Sequence, residues 1–304
     1  MSLTAAGAGV LEACERDVPV ALPGEVLMRV RACGICRIDL HILDGDLPPA
    51  EVPIVPGHEI VGVIEVVGDG VRHFKIGDRV GVPWLGHTCG TCEYCASGRE
   101  NLCRGARFIG CDADGGFAEY AVADAAYTFK LPDGYSDAEA APLLCAGITG
   151  YRAFRMTGEA QRLGLYGGGP AADLVAQLAA HYKREVHTAT PGTPPPVALD
   201  AAIVFSTDGQ LVAAALSHVG PGGTVISAGI RMSDIPSFPY DRLSEERVIR
   251  SVSNLTRDDA REFLALAPGV PLKTRVQTYA LADANRAVAD LRKGRVDGAA
   301  VLTL

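Results

Sequence analysis

Two groups of soft, metal-seeking side chains stand out in this sequence. The first lies between residues 33 and 59, where Cys33-Gly-Ile-Cys-Arg-Ile-Asp-Leu-His41 is followed, after a Pro-rich connector, by Pro56-Gly-His-Glu59. Cys36 and His58 offer a sulfur and an imidazole nitrogen, the ligand types that zinc prefers. Asp39, three residues after Cys36, is placed to accept the free ring N–H of a ligand histidine and so fix its tautomer. Gly34 and Gly57 suit tight turns that bring backbone close to a site. Cys145, in Leu143-Leu-Cys-Ala-Gly-Ile-Thr-Gly-Tyr151, supplies the third ligand that the Cys36/His58 pair lacks. Two cysteines and one histidine leave one tetrahedral position open, as a catalytic zinc requires.

The second group is Cys89-Gly-Thr-Cys-Glu-Tyr-Cys-Ala-Ser-Gly-Arg-Glu-Asn-Leu-Cys103. Cys89, Cys92, Cys95 and Cys103, at spacings of three, three and eight, can close a four-thiolate tetrahedron on one lobe. With no position left open, such a zinc is structural and holds a loop too polar to fold alone. Cys14, Cys33 and Cys111 lack ligand spacing and read as small buried apolar residues.

The rest of the chain must position these groups. Its 304 residues and 48% hydrophobic content suit two domains with substantial cores. Acids and bases are interspersed around a net charge of -8, without the basic patch that nucleic-acid binding needs. No apolar run is long enough to span a bilayer, and Met1-Ser-Leu-Thr-Ala-Ala-Gly7 is not patterned as a signal peptide. The clustering of most of the nine cysteines argues for metal ligands rather than disulfide partners, which suits a cytoplasmic protein.

Residues 1–135 alternate in short stretches cut by Gly and Pro, the pattern of a β-rich, barrel-like domain. Residues 136–157 read as one helix opened by the capping box Ser136-Asp-Ala-Glu139. Then Arg162-Leu-Gly-Leu-Tyr-Gly-Gly-Gly-Pro-Ala-Ala172 runs as strand, Gly-rich turn and helix start. Gly167, Gly169 and Ala172 form the Gly/Ala variant of the dinucleotide fingerprint, in which backbone approaches a pyrophosphate at a helix N-terminus. The next strand, Glu185–Thr190, ends in Thr188, Ala189 and Thr190, with neither the acid that holds ribose hydroxyls nor an arginine for a 2′-phosphate. Only eight residues, Pro191-Gly-Thr-Pro-Pro-Pro-Val-Ala198, then precede the strand Leu199–Phe205. A parallel crossover needs about a dozen residues or more, so a βα unit is missing here. Helix 209–219, a turn at 220–223, strand 224–228 and helix 257–266 continue the α/β alternation. The tail, strand 276–281, helix 283–293 and strand 298–302, is expected to return to the first domain.

Together these features resemble the zinc-dependent medium-chain alcohol dehydrogenases over nearly the whole chain. Gly57-His-Glu-x2-Gly62-x5-Gly68 is similar to that family's zinc signature, and the four-cysteine lobe to its structural zinc. The resemblance implies a GroES-like catalytic domain with an inserted, here truncated, Rossmann-type parallel sheet. On this chain the boundaries are 1–145 with the zinc lobe at 86–104, a shortened Rossmann domain at 146–270, and a return at 271–304. It implies two zinc ions per chain, one on Cys36, His58 and Cys145 with Glu59 beside it, and one on Cys89, Cys92, Cys95 and Cys103. It also implies NAD or NADP, with Arg37 at the pyrophosphate and Thr149 at the nicotinamide. His41 matches the outer end of a proton relay, and Trp84 falls in the stretch that lines the substrate pocket. A homo-dimer or tetramer acting on a small molecule is implied as well.

The chain departs from this pattern on the cofactor side. Ile38 stands where the family places Ser or Thr, so the relay to His41 lacks its first hydroxyl. The ribose acid and the edge βα unit are also absent. Losing about 100 Å² of apolar contact with the adenosine half, at ~25 cal/mol/Å², weakens cofactor binding by roughly 2.5 kcal/mol, near two decades. The first functional reading is a zinc alcohol dehydrogenase or aldehyde reductase for a small to medium alcohol or carbonyl compound. Trp84 and Ile38 make its pocket apolar. A second reading is a redox-silent zinc lyase, isomerase or cyclase on the same scaffold, with His41 or Glu59 moving protons.

Overall fold

The computed structural model describes residues 1–189, 193–270 and 272–304. The chain divides into two compact units, one of Met1–Cys145, Asn254–Pro268 and Lys273–Leu304, the other of Ala146–Ser253 and Gly269–Leu272. Residues 254–268, which the sequence assigns to the Rossmann part, therefore group with the first unit.

The first unit is built on β1 (Glu25–Ile35), which is followed by helix α1 (Arg37–Leu43), β2 (Glu59–Val67), β3 (Arg79–Val82) and β4 (Leu85–His87). The short helix α2 (Glu93–Ala96), β5 (Arg107–Phe108), β6 (Tyr120–Asp124), β7 (Phe129–Lys130) and α3 (Asp137–Ala140) come next. A seven-stranded sheet is built around β1, most of which is buried, antiparallel to β2 from Val26 to Gly34 and, on its other edge, to β6 from Glu25 to Arg29. The β4/β5 hairpin forms a small separate sheet. Val26, Met28, Val30, Ile60, Val80, Trp84 and Phe117 belong to one core under these strands.

The single helix expected at 136–157 is instead three pieces. α3 ends at Ala140, a 3₁₀ turn covers Ala141–Leu144, and helix α4 (Ala146–Met156) begins after Cys145, whose φ/ψ of -122°/-72° is not helical. Pro142 explains the break, since it has no N–H to donate to the preceding turn and its ring crowds the carbonyl four residues back. The interruption frees Cys145 from the helix ladder at the end of the first unit.

The second unit continues with β8 (Arg162–Tyr166), α5 (Pro170–His181), β9 (Glu185–Ala189), β10 (Leu199–Val204), α6 (Gln210–Leu216), β11 (Val219–Ser227) and β12 (Val248–Ser251). The expected turn at 220–223 lies inside β11 as a bulge, where pairing jumps from Leu199↔Val219 to Ala201↔Thr224. All five strands are parallel, in the order β12-β11-β10-β8-β9. A six-stranded dinucleotide sheet runs 3-2-1-4-5-6, and deleting its third strand leaves this order. β9 is thus an edge strand, and residues 193–198 form no helix or named strand. Thr190, at the expected end of the β9 stretch, lies outside the described residues. Leu163, Leu165 and Ile203 pack on one face of the sheet, and Tyr166, Ala202 and Val204 on the other.

The chain then forms α7 (Arg257–Leu266), β13 (Val276–Ala280), α8 (Ala284–Arg292) and β14 (Ala299–Thr303). β14 pairs antiparallel with β1 and parallel with β13, so the C-terminus returns to the first sheet as the sequence suggests.

Candidate metal centres and active site

Cys36 is the N-cap of α1, where the chain leaves β1. Its Sγ accepts the Ile38 N–H at 3.3 Å, and Asp39 Oδ2 accepts the Cys36 N–H at 2.8 Å, a capping box with sulfur in place of a hydroxyl. The other oxygen, Asp39 Oδ1, accepts from His58 Nδ1 at 3.1 Å, with both side chains fully buried. One carboxylate therefore positions two candidate ligands and turns His58 Nε2 toward Cys36 Sγ, 3.4 Å away. The sequence pointed to the His58 contact; the second bond to Cys36 came into view only with the helix cap.

Glu59 begins β2 opposite Gly34 on β1. A Cβ at Gly34 would lie 1.8 Å from Glu59 Oε2, so only glycine leaves room for this buried carboxyl. The candidate ligand atoms of Cys36, His58, Glu59 and Cys145 all lie within 4.8 Å of one another. Burial pushes the Glu59 carboxyl up to about 7. The Cys36 thiol is raised by its bond with Cys145 and by burial, while Asp39 raises His58 against the effect of burial. Crowded thiols and a carboxyl that resist ionisation are a donor set suited to a dication. Zinc bonds of about 2.3 Å to sulfur and about 2.0 Å to nitrogen give a tetrahedral S···N edge of roughly 3.5 Å, against 3.4 Å for Cys36 and His58.

Trp84 packs edge-on against the His58 ring at 5.1 Å and stacks on Phe108 at 4.9 Å. Both Trp84 and Ile38 are buried in the core of the first unit, beside the ligand segment. His41, on α1, pairs with Asp46 Oδ2 at 3.1 Å, and Arg37, the first residue of that helix, is exposed. Thr149 is half-buried on α4 in the second unit. There, Gly167 and Gly169 have φ of 86° and 111°, and Gly169 caps α5 with open space where a Cβ would stand. Ala172 is buried on the next turn of α5, and the loop after β8 meets the loop after β10 at Ser206. This is the point where the strand order reverses, the usual place for a ligand in such a sheet.

The four lobe cysteines also converge, with ligand atoms within 4.8 Å of one another. Cys89–Cys95, Cys92–Cys95 and Cys103–Cys89 sulfur separations are 3.9, 3.5 and 3.5 Å. A zinc–sulfur bond of about 2.3 Å gives tetrahedral edges of roughly 3.8 Å, whereas a disulfide is about 2.05 Å. The backbone N–H of Cys92 and the Thr91 hydroxyl point at Cys89 Sγ. Backbone N–H groups of Thr91 and Cys92 pull the Cys89 thiol down to about 6, so it is readily a thiolate. None of the nine cysteines is in a disulfide, and Cys33 and Cys111 are buried as expected, but Cys14 is exposed on a segment outside the helices and strands.

Replacing Asp39 with asparagine tests the bridging carboxylate. Metal affinity at the first site is expected to fall about 10–100-fold, read by competition with a chromogenic chelator, and an unchanged affinity would remove Asp39 from the site.

Residues 22–133 match the alcohol dehydrogenase GroES-like domain family. The probable alcohol dehydrogenase AdhA of Mycobacterium tuberculosis is 45% identical, over 97% of this chain and 93% of its own length. That alignment runs over 323 positions against 304 residues here, so at least 19 positions have no counterpart in this chain. Acetophenone reductase from Geotrichum candidum, solved in complex with NAD, is similar at 26% identity and a TM-score of 0.88, over 100% of this chain and 96% of that one. The cobalt- and zinc-bound thermostable alcohol dehydrogenase of Pyrobaculum aerophilum shares the fold at 23% identity and a TM-score of 0.90, covering 100% of this chain and 98% of that one.

Proposed function

The chain belongs to the zinc-dependent medium-chain alcohol dehydrogenase family, and from that premise we propose that it interconverts a small to medium hydrophobic alcohol and its carbonyl compound using zinc and NAD or NADP. The observation that carries this reading is the convergence of Cys36, His58, Cys145 and Glu59 within 4.8 Å, with Asp39 holding Cys36 and His58 at the spacing of a zinc tetrahedron's edge. Bound zinc would polarise the substrate oxygen, and bound nicotinamide would exchange hydride with the carbinol carbon. Within this reading Asp39 holds His58 in one tautomer, while Ile38 and Trp84 present apolar surface to the substrate. Gly167, Gly169 and Ala172 cradle the cofactor pyrophosphate, assisted by Arg37, and Thr149 contacts its nicotinamide. Cys89, Cys92, Cys95 and Cys103 hold a second, structural zinc. Residues 1–145, with 254–268 and the C-terminal return, act as the catalytic domain, and 146–253 as a shortened cofactor domain.

A second copy of the chain is the partner we propose, through the second unit, where the edge strand β12 leaves Val248 exposed and Tyr240 and Ile235 nearby in sequence are exposed too. Among the described residues no helix is long and apolar enough to cross a membrane. The clustering of cysteines as metal ligands, with none paired in a disulfide, supports a cytoplasmic location.

The test is titration of the zinc-loaded protein with NADH and with NADPH, followed by nicotinamide fluorescence and calorimetry. Saturation is expected in the micromolar range, weakened by the missing edge strand, and a panel of alcohols and aldehydes then defines the substrate. No saturation at millimolar cofactor would overturn the redox reading and favour the redox-silent zinc enzyme, which the edge position of β9 and the apolar Ile38 would then explain.

Ile38→Thr restores a hydroxyl at the start of the path toward His41. The dehydrogenase rate is expected to rise by about tenfold, less than the roughly 10²–10⁴-fold of a positioned general acid or base, because the hydroxyl only passes the proton on. An equal rate in both proteins would mean that the proton leaves by another route.

A further inference from the structure

Buried polar side chains in the first unit are concentrated in two places. One is Asp39, His58 and Glu59. The other joins the four-cysteine lobe to α7 and includes Thr88, Glu100, Thr256 and Asp259. Burying such groups is costly unless each finds a partner, so a second concentration far along the sequence from the first calls for a role.

The contacts form a continuous path. The Thr88 hydroxyl lies 3.5 Å from Cys95 Sγ and 2.7 Å from the Tyr127 hydroxyl. A hydroxyl has one proton to give and two lone pairs, so Thr88 can donate to a Cys95 thiolate while accepting from Tyr127. The Arg257 guanidinium sits over the Tyr127 ring, 5.4 Å from its centroid. Glu100, inside the lobe and three residues before Cys103, accepts the Arg257 backbone N–H at 2.9 Å and Arg257 Nε at 3.2 Å on one oxygen. Arg257 is the first residue of α7, and Thr256 and Asp259 close a capping box around the same turn. Glu100 thus satisfies an open N–H and adds a negative charge where the helix dipole is positive. Its side chain is only 5% exposed and its partner is 157 residues away, so this is not an ordinary surface pair.

We propose that α7 is a functional part of the lobe's metal site: Thr88, Tyr127 and Arg257 are positioning residues that hold the Cys95 sulfur, and metal binding in turn seats Glu100 on the α7 N-terminus. This rests on the reading that the lobe holds a metal. α7 is also the segment that the chain forms between leaving the second unit after Ser253 and re-entering it at Gly269. The lobe metal therefore anchors a helix that begins 157 residues after Glu100 in the chain, which gives the lobe a task beyond its own folding.

The coupling must be reciprocal, and that is what the experiment reads. The two-metal protein is treated with a chromogenic chelator, and the two release phases are assigned with Cys36→Ser, which keeps only the lobe metal. Thr88→Val, Tyr127→Phe and Arg257→Ala are each expected to release the lobe metal about 10–100-fold faster, with release from the first site unchanged. Arg257→Lys, which keeps the charge over the ring, should fall between. In the cobalt-loaded protein, Thr88→Val should shift the thiolate-to-cobalt charge-transfer band. In the wild-type chain, loss of the lobe metal should speed amide exchange at residues 257–260 at least tenfold, with α8 unaffected. Wild-type release rates in Arg257→Ala, or α7 exchange insensitive to the lobe metal, would overturn the proposal while leaving the lobe reading intact. The exchange measurement decides alone should a variant not fold. A wild-type protein whose lobe retains no metal would overturn the lobe reading and this proposal with it.

Discussion

Cys36→Ser is expected to leave one metal ion per chain and to lower alcohol oxidation by at least about a thousandfold. Lewis-acid stabilisation contributes several kcal/mol to such a reaction, and about 4 kcal/mol is three decades of rate. The substitution is unusually clean because Cys36 is a helix N-cap whose sulfur accepts the Ile38 N–H. Serine is among the best N-cap residues, so α1 and the Asp39 bond to the backbone N–H of residue 36 should persist. Thermal unfolding should therefore shift little while metal content and rate fall together. Elemental analysis and steady-state kinetics read the two quantities. Full activity in a one-metal protein would remove Cys36 from the catalytic site.

Cys95→Ser should act in the opposite way, through folding rather than chemistry. Residues 89–99 carry almost no buried side chain, and α2 has only four residues, none of them buried. A helix that short has no stability of its own. In the reading proposed above, the metal is in effect the core of the lobe. Zinc binding supplies about 10–16 kcal/mol in small zinc-dependent domains, against about 5–15 kcal/mol for the stability of a whole domain. Soluble yield at 37 °C is expected to fall several-fold, and proteolysis should begin within 88–104. The surviving folded fraction should still hold the first metal. A fully soluble, protease-resistant variant that holds one metal would show that the lobe folds without its ion.

The architecture was legible wherever the pattern is local. Alternation and turn residues marked the short strands of the first unit, and the Gly167–Ala172 stretch announced a parallel sheet. The eight residues between Thr190 and Leu199 could not carry a crossover unit, and β9 accordingly stands at the sheet edge. The helix at 136–157 misled because its capping box and the Ala/Leu-rich run after it outweighed Pro142, whose missing N–H breaks it just before Cys145. Cys14 misled for the opposite reason. A cysteine is usually buried, but this one is exposed on a segment outside the helices and strands.

What the sequence by itself determined about this protein is its donor chemistry. Four cysteines within fifteen residues can close a small loop on one ion whatever the rest of the chain does, and a Cys/His pair with a following Asp states a ligand type and its orienting partner. Only the tertiary structure decided which long-range partners meet. The register of β1 on β2 puts Gly34 against Glu59, the cap of α1 gives Asp39 its second bond, and the docking of α7 brings Arg257 to Glu100. Spacing along a chain specifies local geometry, because few bonds separate the groups. Contacts across 157 residues depend on strand register and packing, which no short pattern encodes.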